Sequence, residues 1–460
     1  MIEKLLPAVA ALIGICLLTA WIVLDRPDPR LRGRIPGMDQ PANAVAAQQI
    51  NLAGTFVKST GTPATNLPGV WPGFRGAKLD NISTDPTPLA THWPAQGPKA
   101  LWSIDLGEGY AGAAVRAGRV YVLDYDQTAR RDVLRCLSLA DGKEIWNRSY
   151  PVLVKRNHGM SRTVPTVTDK YVITLGPKCQ VLCLDAQTGD FRWGIDLVRE
   201  YHTKVPAWYA GQCPLVDDDR TILAPGGDAM MIAVDNATGK VLWKTANPRQ
   251  WPMSHASILP ITFHGSRMYV YPASGGVVGV SADDGHIVWD TDAWKITIAT
   301  VPTPVLVGDG RLFLTGGYNA GSMMLQLVEE HGRITAKPEF RLPPEVFGSD
   351  QQTPIFYQGN IYGVIPGGQL ACIDLQGKTV WTSGSAHRFG LGPYMIAQGM
   401  IYLVNDTGTL TLVKATPRGY QQLAQARVLT GQDAWGPLAL AGNRLIARDL
   451  TKMVCLDVGK

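Results

Sequence analysis

The sequence predicts an all-β fold: an eight-bladed β-propeller of four-stranded blades, closed by an N-terminal strand and preceded by a transmembrane helix. Three observations predict the propeller. First, the phrase Gly-x-x-x-Trp recurs, ending at Trp146, Trp193, Trp243, Trp289 and Trp381, with successive tryptophans 47, 50, 46 and 92 residues apart. A period of that length, rich in turn formers and without helical patterning, is that of a propeller blade. Second, the 92-residue gap holds two periods. One worn copy falls at Gly332 to Ala336 inside it and another at Gly419 to Leu423, so blades 5 and 7 are the degenerate ones. Third, the chain ends on Gly459-Lys460, the opening of one more phrase, and Lys99-Ala100-Leu101-Trp102, whose Trp102 lies 44 residues before Trp146, reads as its finish. The count is then eight, with Leu101 to Asp105 as the outermost strand of a blade whose other three strands come from residues 434–458. Closing the ring with both chain ends leaves no blade with an unpaired edge.

Four segments follow from the N-terminus. Residues 1–26 contain Leu5 to Leu24, twenty residues without a charge, long enough to span a bilayer as a helix. The expected element is an uncleaved membrane anchor; a cleaved signal peptide is the rival, but no small-x-small site follows the apolar run. Lys4 precedes this run while Arg26, Arg30, Arg32 and Arg34 follow it, a pattern that by the positive-inside rule keeps the propeller in the cytoplasm. Residues 27–69 turn to Pro, Ala, Gln, Asn, Thr and Gly with no hydrophobic period and read as a flexible linker. Residues 70–98 open with Val70-Trp71-Pro72-Gly73-Phe74-Arg75-Gly76, a tight aromatic segment expected to pack on the propeller rim. Residues 99–460 are the propeller.

Composition agrees with this division. The 460 residues include 49 Gly and 32 Pro, as some thirty short strands joined by turns require. Net charge is +5, and the arginines from Arg26 to Arg34 account for most of it, which argues against a nucleic-acid partner. Cys136, Cys183, Cys372 and Cys455 sit at equivalent places just before the repeated phrase and read as buried small hydrophobes. Without any Cys-x-x-Cys, a thiol metal or redox site is not expected, and the chain carries no phosphate loop, dinucleotide fingerprint or zinc-helix signature.

The fullest copy, Ala233-Val234-Asp235-Asn236-Ala237-Thr238-Gly239-Lys240-Val241-Leu242-Trp243, resembles the tryptophan-docking repeat of the pyrroloquinoline quinone (PQQ) propeller superfamily, and Cys183 to Trp193 is almost as close. The resemblance covers roughly residues 99–460. It implies that Trp102, Trp146, Trp193, Trp243, Trp289 and Trp381 wedge against neighbouring blades. The superfamily holds quinoprotein alcohol dehydrogenases as well as non-catalytic members, among them the propeller lipoprotein of the outer-membrane β-barrel assembly machinery, so the resemblance implies a fold more strongly than a reaction. The segment Trp71 to Gly76, with Val205 to Pro214 and Met253 to Pro260, is also similar to a narrower group of membrane-anchored bacterial PQQ-repeat proteins of unassigned reaction. Relatives work outside the cytoplasm, which opposes the arginine count and implies an inner-membrane anchor with a periplasmic or other extracytoplasmic propeller.

A site is expected where the loops leading into the innermost strands converge. Those strands are marked by Pro165, Pro214, Pro260, Pro304, Pro354, Pro393 and Pro437, a position where a strand bordering the channel tolerates a missing N–H. The loops before them carry large polar and aromatic side chains in place of the usual Gly, Ser and Asn: Glu108, Tyr110, Arg162, Trp208, Gln212, His255, Gln352, Arg388, Asp433 and Trp435 are the ligand-binding candidates. Arg162 and Arg388 suit carboxylates, Trp208, Trp435 or Tyr110 suit a ring or sugar face, and Glu108, Asp350, Asp433 and His255 are candidate general bases. The alternative is that these groups satisfy one another around a water-filled channel. No residue set points to a metal, and no specific residue indicates PQQ, although the quinone would fit such a lining. Two functions are expected on this basis. One is a membrane-tethered binding or scaffolding propeller for a protein, glycan or small anionic ligand. The other is a small quinoprotein oxidoreductase acting on alcohols or sugars; against it, the cysteine ring, haem-attachment motif and insertions of quinoprotein dehydrogenases are absent, and the Asn405-Asp406 pair reads as a hairpin turn.

Overall fold

In a computed structural model, residues 12–20, 50–296 and 298–460 are described. Residues 12–20 are helical. The remainder of the expected anchor lies outside the described residues, and among those described no helix is long and apolar enough to cross a membrane.

The described residues from 50 onward form one compact unit, an eight-bladed propeller of antiparallel four-stranded sheets. Blade 1 runs from its inner strand Ala114–Arg116 outward to Glu144–Pro151, and blade 7 from Tyr394–Ala397 to Gln422–Arg427. Blade 8 takes Ala439–Ala441, Arg444–Arg448 and Lys452–Asp457 from the C-terminus and Lys99–Asp105 from the N-terminal side as its outermost strand. The closure read from the split phrase is therefore the one the sheet adopts. Pro165, Pro214, Pro304, Pro354 and Pro393 each stand immediately before an inner strand, and Pro260 sits within one.

Each blade carries a register slip at an equivalent place between its third and fourth strands, and blade 3 has a second one between Ala229 and Met231. The residue just before the slip faces Trp146, Trp193, Trp243, Trp289 and Trp381 in five blades, and Trp102 faces Cys455 in the eighth. Measured by this slip, the worn copies need correcting. In blade 5 the position belongs to Phe340, opposite Met324, and in blade 7 to Ala424, opposite Leu412. Ala336 is displaced because blade 5 has ten-residue strands, Gly321–Glu330 and Arg333–Leu342, whose hairpin tip carries Gly332 beyond the usual turn, and Leu423 precedes the bulge position of blade 7 by one residue. A bulge fixes equivalent positions more faithfully than a glycine offset does.

Four of the tryptophans reach across to the next blade with a hydrogen bond. The indole Nε1 of Trp102 donates to Leu139 O at 3.0 Å, that of Trp146 to Gln187 O at 3.2 Å, that of Trp193 to Asn236 O at 2.8 Å and that of Trp381 to Thr416 O at 2.9 Å. Gly189 shows why the phrase opens with glycine: its φ is +75°, and a Cβ there would lie 2.8 Å from the Trp146 ring. All seven cysteines are free; six are buried, with Cys136, Cys183, Cys372 and Cys455 inside sheets.

The expected linker and rim segment require two corrections. Within 27–69, Thr55–Lys58 is a strand that adds to the outer edge of blade 1, pairing Thr55 with Ser149 and Lys58 with Trp146; its low hydrophobicity hid a partner supplied by the blade, since edge addition is satisfied by main-chain hydrogen bonds. The segment beginning at Trp71 does not lie on the rim. It bridges Val115 of blade 1, its Pro72 carbonyl accepts from Val167 N of blade 2, its Asn81 side chain donates to Tyr394 O of blade 7, and Ile82–Ser83 pairs in parallel with Ile396–Ala397. It thus crosses the central channel at the level of the inner strands and plugs it.

Candidate functional site

The plug turns the channel into a blind cavity of about 380 Å³ that is floored by Phe74, Arg75 and Asn81 and walled by the loops leading into the inner strands. Six of the ten expected ligand-binding residues line it: Tyr110, Arg162, Trp208, His255, Gln352 and Trp435. Four do not. Glu108 stands outside it and pairs with Arg156 at 2.5 Å. Gln212 is fully buried, with its amide exchanging hydrogen bonds with the backbone of Ala224, so it lashes its loop to the second strand of blade 3. Arg388 is exposed in a neighbouring cleft with Asp350 and Asp406. Asp433 lies behind Tyr110, whose hydroxyl donates to it at 3.3 Å. Position along a loop cannot distinguish the side of a turn that faces the channel from the side that braces it.

Burial governs the electrostatics of the lining. Arg162 lies 5.2 Å over the Tyr110 ring, which in turn sits 5.1 Å from Trp435. Its Nη2 donates to the carbonyls of Asn157 (2.9 Å), Gly159 (3.3 Å) and His158 (3.4 Å), while its Nε is buried without a partner. Burial draws this guanidinium down to about 10, and no carboxylate offsets the effect. Arg75 is likewise buried. It donates to Leu79 O at 2.8 Å and to Thr353 O and Pro354 O at 3.2 Å each, and burial draws it to about 10 against the opposing charge of Asp80. Asp80 itself accepts from Ile82 N. His255, 6.2 Å from Trp208, is lowered to about 4 by burial first and by Arg162 second, so it stands neutral near neutral pH. The Tyr110 hydroxyl is pushed up to about 12 by burial and by Asp433 and stays protonated. Trp435 is held by its Nε1 donating to Asp406 at 2.7 Å, and Asp406 follows Asn405 in the hairpin turn expected there.

Three residues of the floor were missed as site residues, Phe74, Arg75 and Asn81, along with Tyr318 from a blade 5 hairpin. The only signal in the sequence for Arg75 was an arginine among aromatics and glycines, with no acidic residue before Asp80.

The quinone of PQQ propellers works beside a metal held by acidic side chains. The arginines and rings would suit an organic polyanion, but no Asp or Glu lines the cavity, and among the described residues no group of three or more His, Cys, Asp or Glu side chains could hold a metal ion. The lining does not fit the quinone–metal pair.

Comparison with known proteins places the chain. The outer membrane protein assembly factor BamB of Moranella endobia (strain PCIT) is 22% identical over 332 residues, covering 69% of this chain and 70% of that protein. The structure is similar to BamB from Moraxella catarrhalis, with TM-score 0.54 and 15% identity over 78% of this chain and 99% of that one. It is also similar to a europium-containing methanol dehydrogenase, with TM-score 0.61 and 13% identity over 83% and 90%. At such identities these structures share the fold alone. A family model matches residues 129–376, more than half of the sequence. The chain belongs to this family, PQQ_2, whose model is described as outer membrane protein assembly factor BamB.

Proposed function

We propose that this protein is a non-catalytic scaffold for outer-membrane protein assembly, tethered to the inner membrane by residues 5–24, with its propeller outside the cytoplasm. Its partner is a protein that docks on the face where the loops into the inner strands open. One observation carries the reading. Around the mouth on that face, Leu153, Ile298 and Tyr318 are 54%, 56% and 49% exposed, large apolar groups of the kind that anchor a protein interface. The absence of a carboxylate in the cavity disfavours the dehydrogenase reading. The tryptophans that reach the next blade act in this reading as structural wedges, holding the loop face rigid.

The test is photo-crosslinking in cells of the source bacterium, with the crosslinking amino acid at Leu153 or Ile298 and, as a control, at Lys170 in a turn of the opposite face. Adducts from the first two positions with a component of the outer-membrane assembly machinery, and none from the third, are expected. Adducts of equal yield from all three positions, or none, would remove the reading. A phosphatase reporter fused after Lys460 should be active; an inactive one would place the propeller in the cytoplasm.

A further inference from the structure

We infer that residues 91–98 form an autoinhibitory flap on the outer rim, and that the seat its Trp93 occupies at the seam of blades 7 and 8 is a docking site for an extended acidic peptide with an aromatic anchor. This inference stands apart from the assembly reading, because the seam lies among the outer strands and not on the loop face.

Register reveals the seat. In blade 1 Tyr121 pairs with Cys136 and Cys136 with Trp146, and in blade 6 Tyr362 pairs with Cys372 and Cys372 with Trp381. The same rung of blade 7 is Tyr402, Leu412 and Ala424, so the tyrosine is kept and its tryptophan is missing. Trp93 supplies the ring from outside the repeats. Its centroid lies 6.4 Å from that of Tyr402, against 6.1 Å for both Trp146 to Tyr121 and Trp381 to Tyr362. Trp93 and Ala424 pack against the same apolar cluster, and a Cβ on Gly97 would lie 2.5 Å from the Ala426 side chain, so the flap presses on the outer strand of blade 7.

The ring is held by packing alone. The flap is fastened at its two ends, where Ala90 N donates to Val458 O and Lys99 pairs with Asp457. Among the described residues no hydrogen bond ties 91–98 to the propeller; Gly97 N donates to Pro94 O within the flap, and Thr91 Oγ1 lies 3.3 Å from the neighbouring His92 Nδ1. Trp102, Trp146, Trp193 and Trp381 each give Nε1 to a carbonyl of the next blade, whereas the Nε1 of Trp93 is buried without a partner. A buried donor left unpaired costs free energy, which makes this seated ring easy for a competitor to displace.

The flap shows what the seat accepts, and a groove of about 940 Å³ beside it shows what should flank the ring. Trp93 precedes Pro94, which biases the chain toward an extended form, so the ring is presented from extended backbone. Lys99 and Arg427 border the groove, and among the described residues neither pairs with a carboxylate; Arg427 Nε donates to Leu429 O. Asp457, the one acidic side chain among the described lining residues, already accepts from Asn443 and from Gly459 N. Acidic residues beside an aromatic anchor would complement the two cations, which Thr91, His92 and Gln96 of the flap leave unmatched.

The experiment is calorimetric titration at low salt of the full-length protein, and of its Trp93→Ala, Ala424→Trp and Arg427→Gln variants, with the end-blocked peptide Asp-Glu-Trp-Pro-Glu-Asp. Control peptides replace its four acids by Asn and Gln, or its tryptophan by Ala. The wild type is expected to bind the acidic tryptophan peptide saturably. Trp93→Ala should bind it on the order of tenfold more tightly, because the internal competitor that lowers the fraction of open seats is gone. A purely structural Trp93 would give equal or weaker binding in that variant, which overturns the flap. Ala424→Trp returns the wedge to the blade itself and should abolish binding, and Arg427→Gln should weaken it. No saturable binding, measured on the wild type alone should Trp93→Ala fail to fold, overturns the inference. Equal binding of either control peptide, or binding that survives Ala424→Trp, does the same. Loss of peptide binding in Ala424→Trp with the crosslinks from Leu153 and Ile298 intact would leave the assembly reading standing, and peptide binding without those crosslinks would leave the flap.

Discussion

Asp132 is the residue whose ionisation works most directly against the fold. It is buried in blade 1, accepts a 2.8 Å hydrogen bond from the Tyr150 hydroxyl through Oδ2, and leaves Oδ1 without a partner. Burial pushes its carboxyl from 3.8 up to about 7; the Tyr150 bond pulls it down and Asp124 pushes it further up. Because the folded-state value is above the unfolded one, the folded protein holds this proton more tightly. The stabilisation is fully present below about 4 and is lost as pH rises to about 7. Asp132→Asn keeps an acceptor for Tyr150 and removes the titration. Urea midpoints should therefore fall between pH 5 and pH 8 in the wild type and change less in the variant, which should be the more stable of the two at pH 8 by on the order of 1–3 kcal/mol. An unchanged pH dependence would show that the carboxylate finds solvation the fold does not display.

At the scale of the strand and its turn, the repeated tryptophans are not equivalent. Trp193 donates to Asn236 O across the blade boundary, whereas the buried Trp243 Nε1 has no partner. Trp193→Phe removes a hydrogen bond and leaves the Asn236 carbonyl with only the weak Cys183 thiol as a donor; Trp243→Phe removes a donor that had nowhere to go. The first change should lower stability by about 1–2 kcal/mol beyond the second, measured as the difference in urea unfolding midpoints. Equal losses would mean that ring volume is all the wedge contributes. Trp289 is a third case, turning its Nε1 to Met268 Sδ in its own blade. In blade 5 Phe340 takes the corresponding place, and a Cβ on Gly377 of blade 6 would lie 2.9 Å from its ring. The wedge therefore survives where the motif does not.

At the scale of the whole propeller, the ring holds because Lys452–Asp457 pairs with Lys99–Asp105. Removing 452–460 would strip blade 8 of its third strand, unpair Lys99–Asp105 and uncover Trp102 and Ile446, both buried in the intact blade and both facing Cys455 there. The truncated chain should lose the single cooperative thermal transition and aggregate, as chains with long unpaired edges do. Adding the missing strand in trans as a peptide should restore part of the transition. A truncated chain that melts like the parent would show that blades 1–7 close without the eighth.

Blade number and closure were legible in the sequence because each depends on local chemistry repeated at a fixed interval: a turn glycine, a wedge tryptophan, and a phrase split between Lys460 and Trp102. Much of the site was legible for a related reason, since Tyr110, Arg162, Trp208, His255, Gln352 and Trp435 stand at equivalent places before inner strands and converge wherever eight blades form a ring. Side-chain direction was not. Gln212 braces its own loop, Asp433 backs Tyr110 and Arg388 faces another cleft, outcomes set by a few degrees of backbone at loop tips with no periodicity to report them. Nor did anything local reveal that Trp71 to Ser83 would leave the rim, cross the channel and bring Arg75 against blade 6. That path depends on carbonyls of Thr353 and Pro354 nearly three hundred positions away, and only the tertiary structure brings them within reach, because a channel exists to be plugged only after all eight blades have assembled.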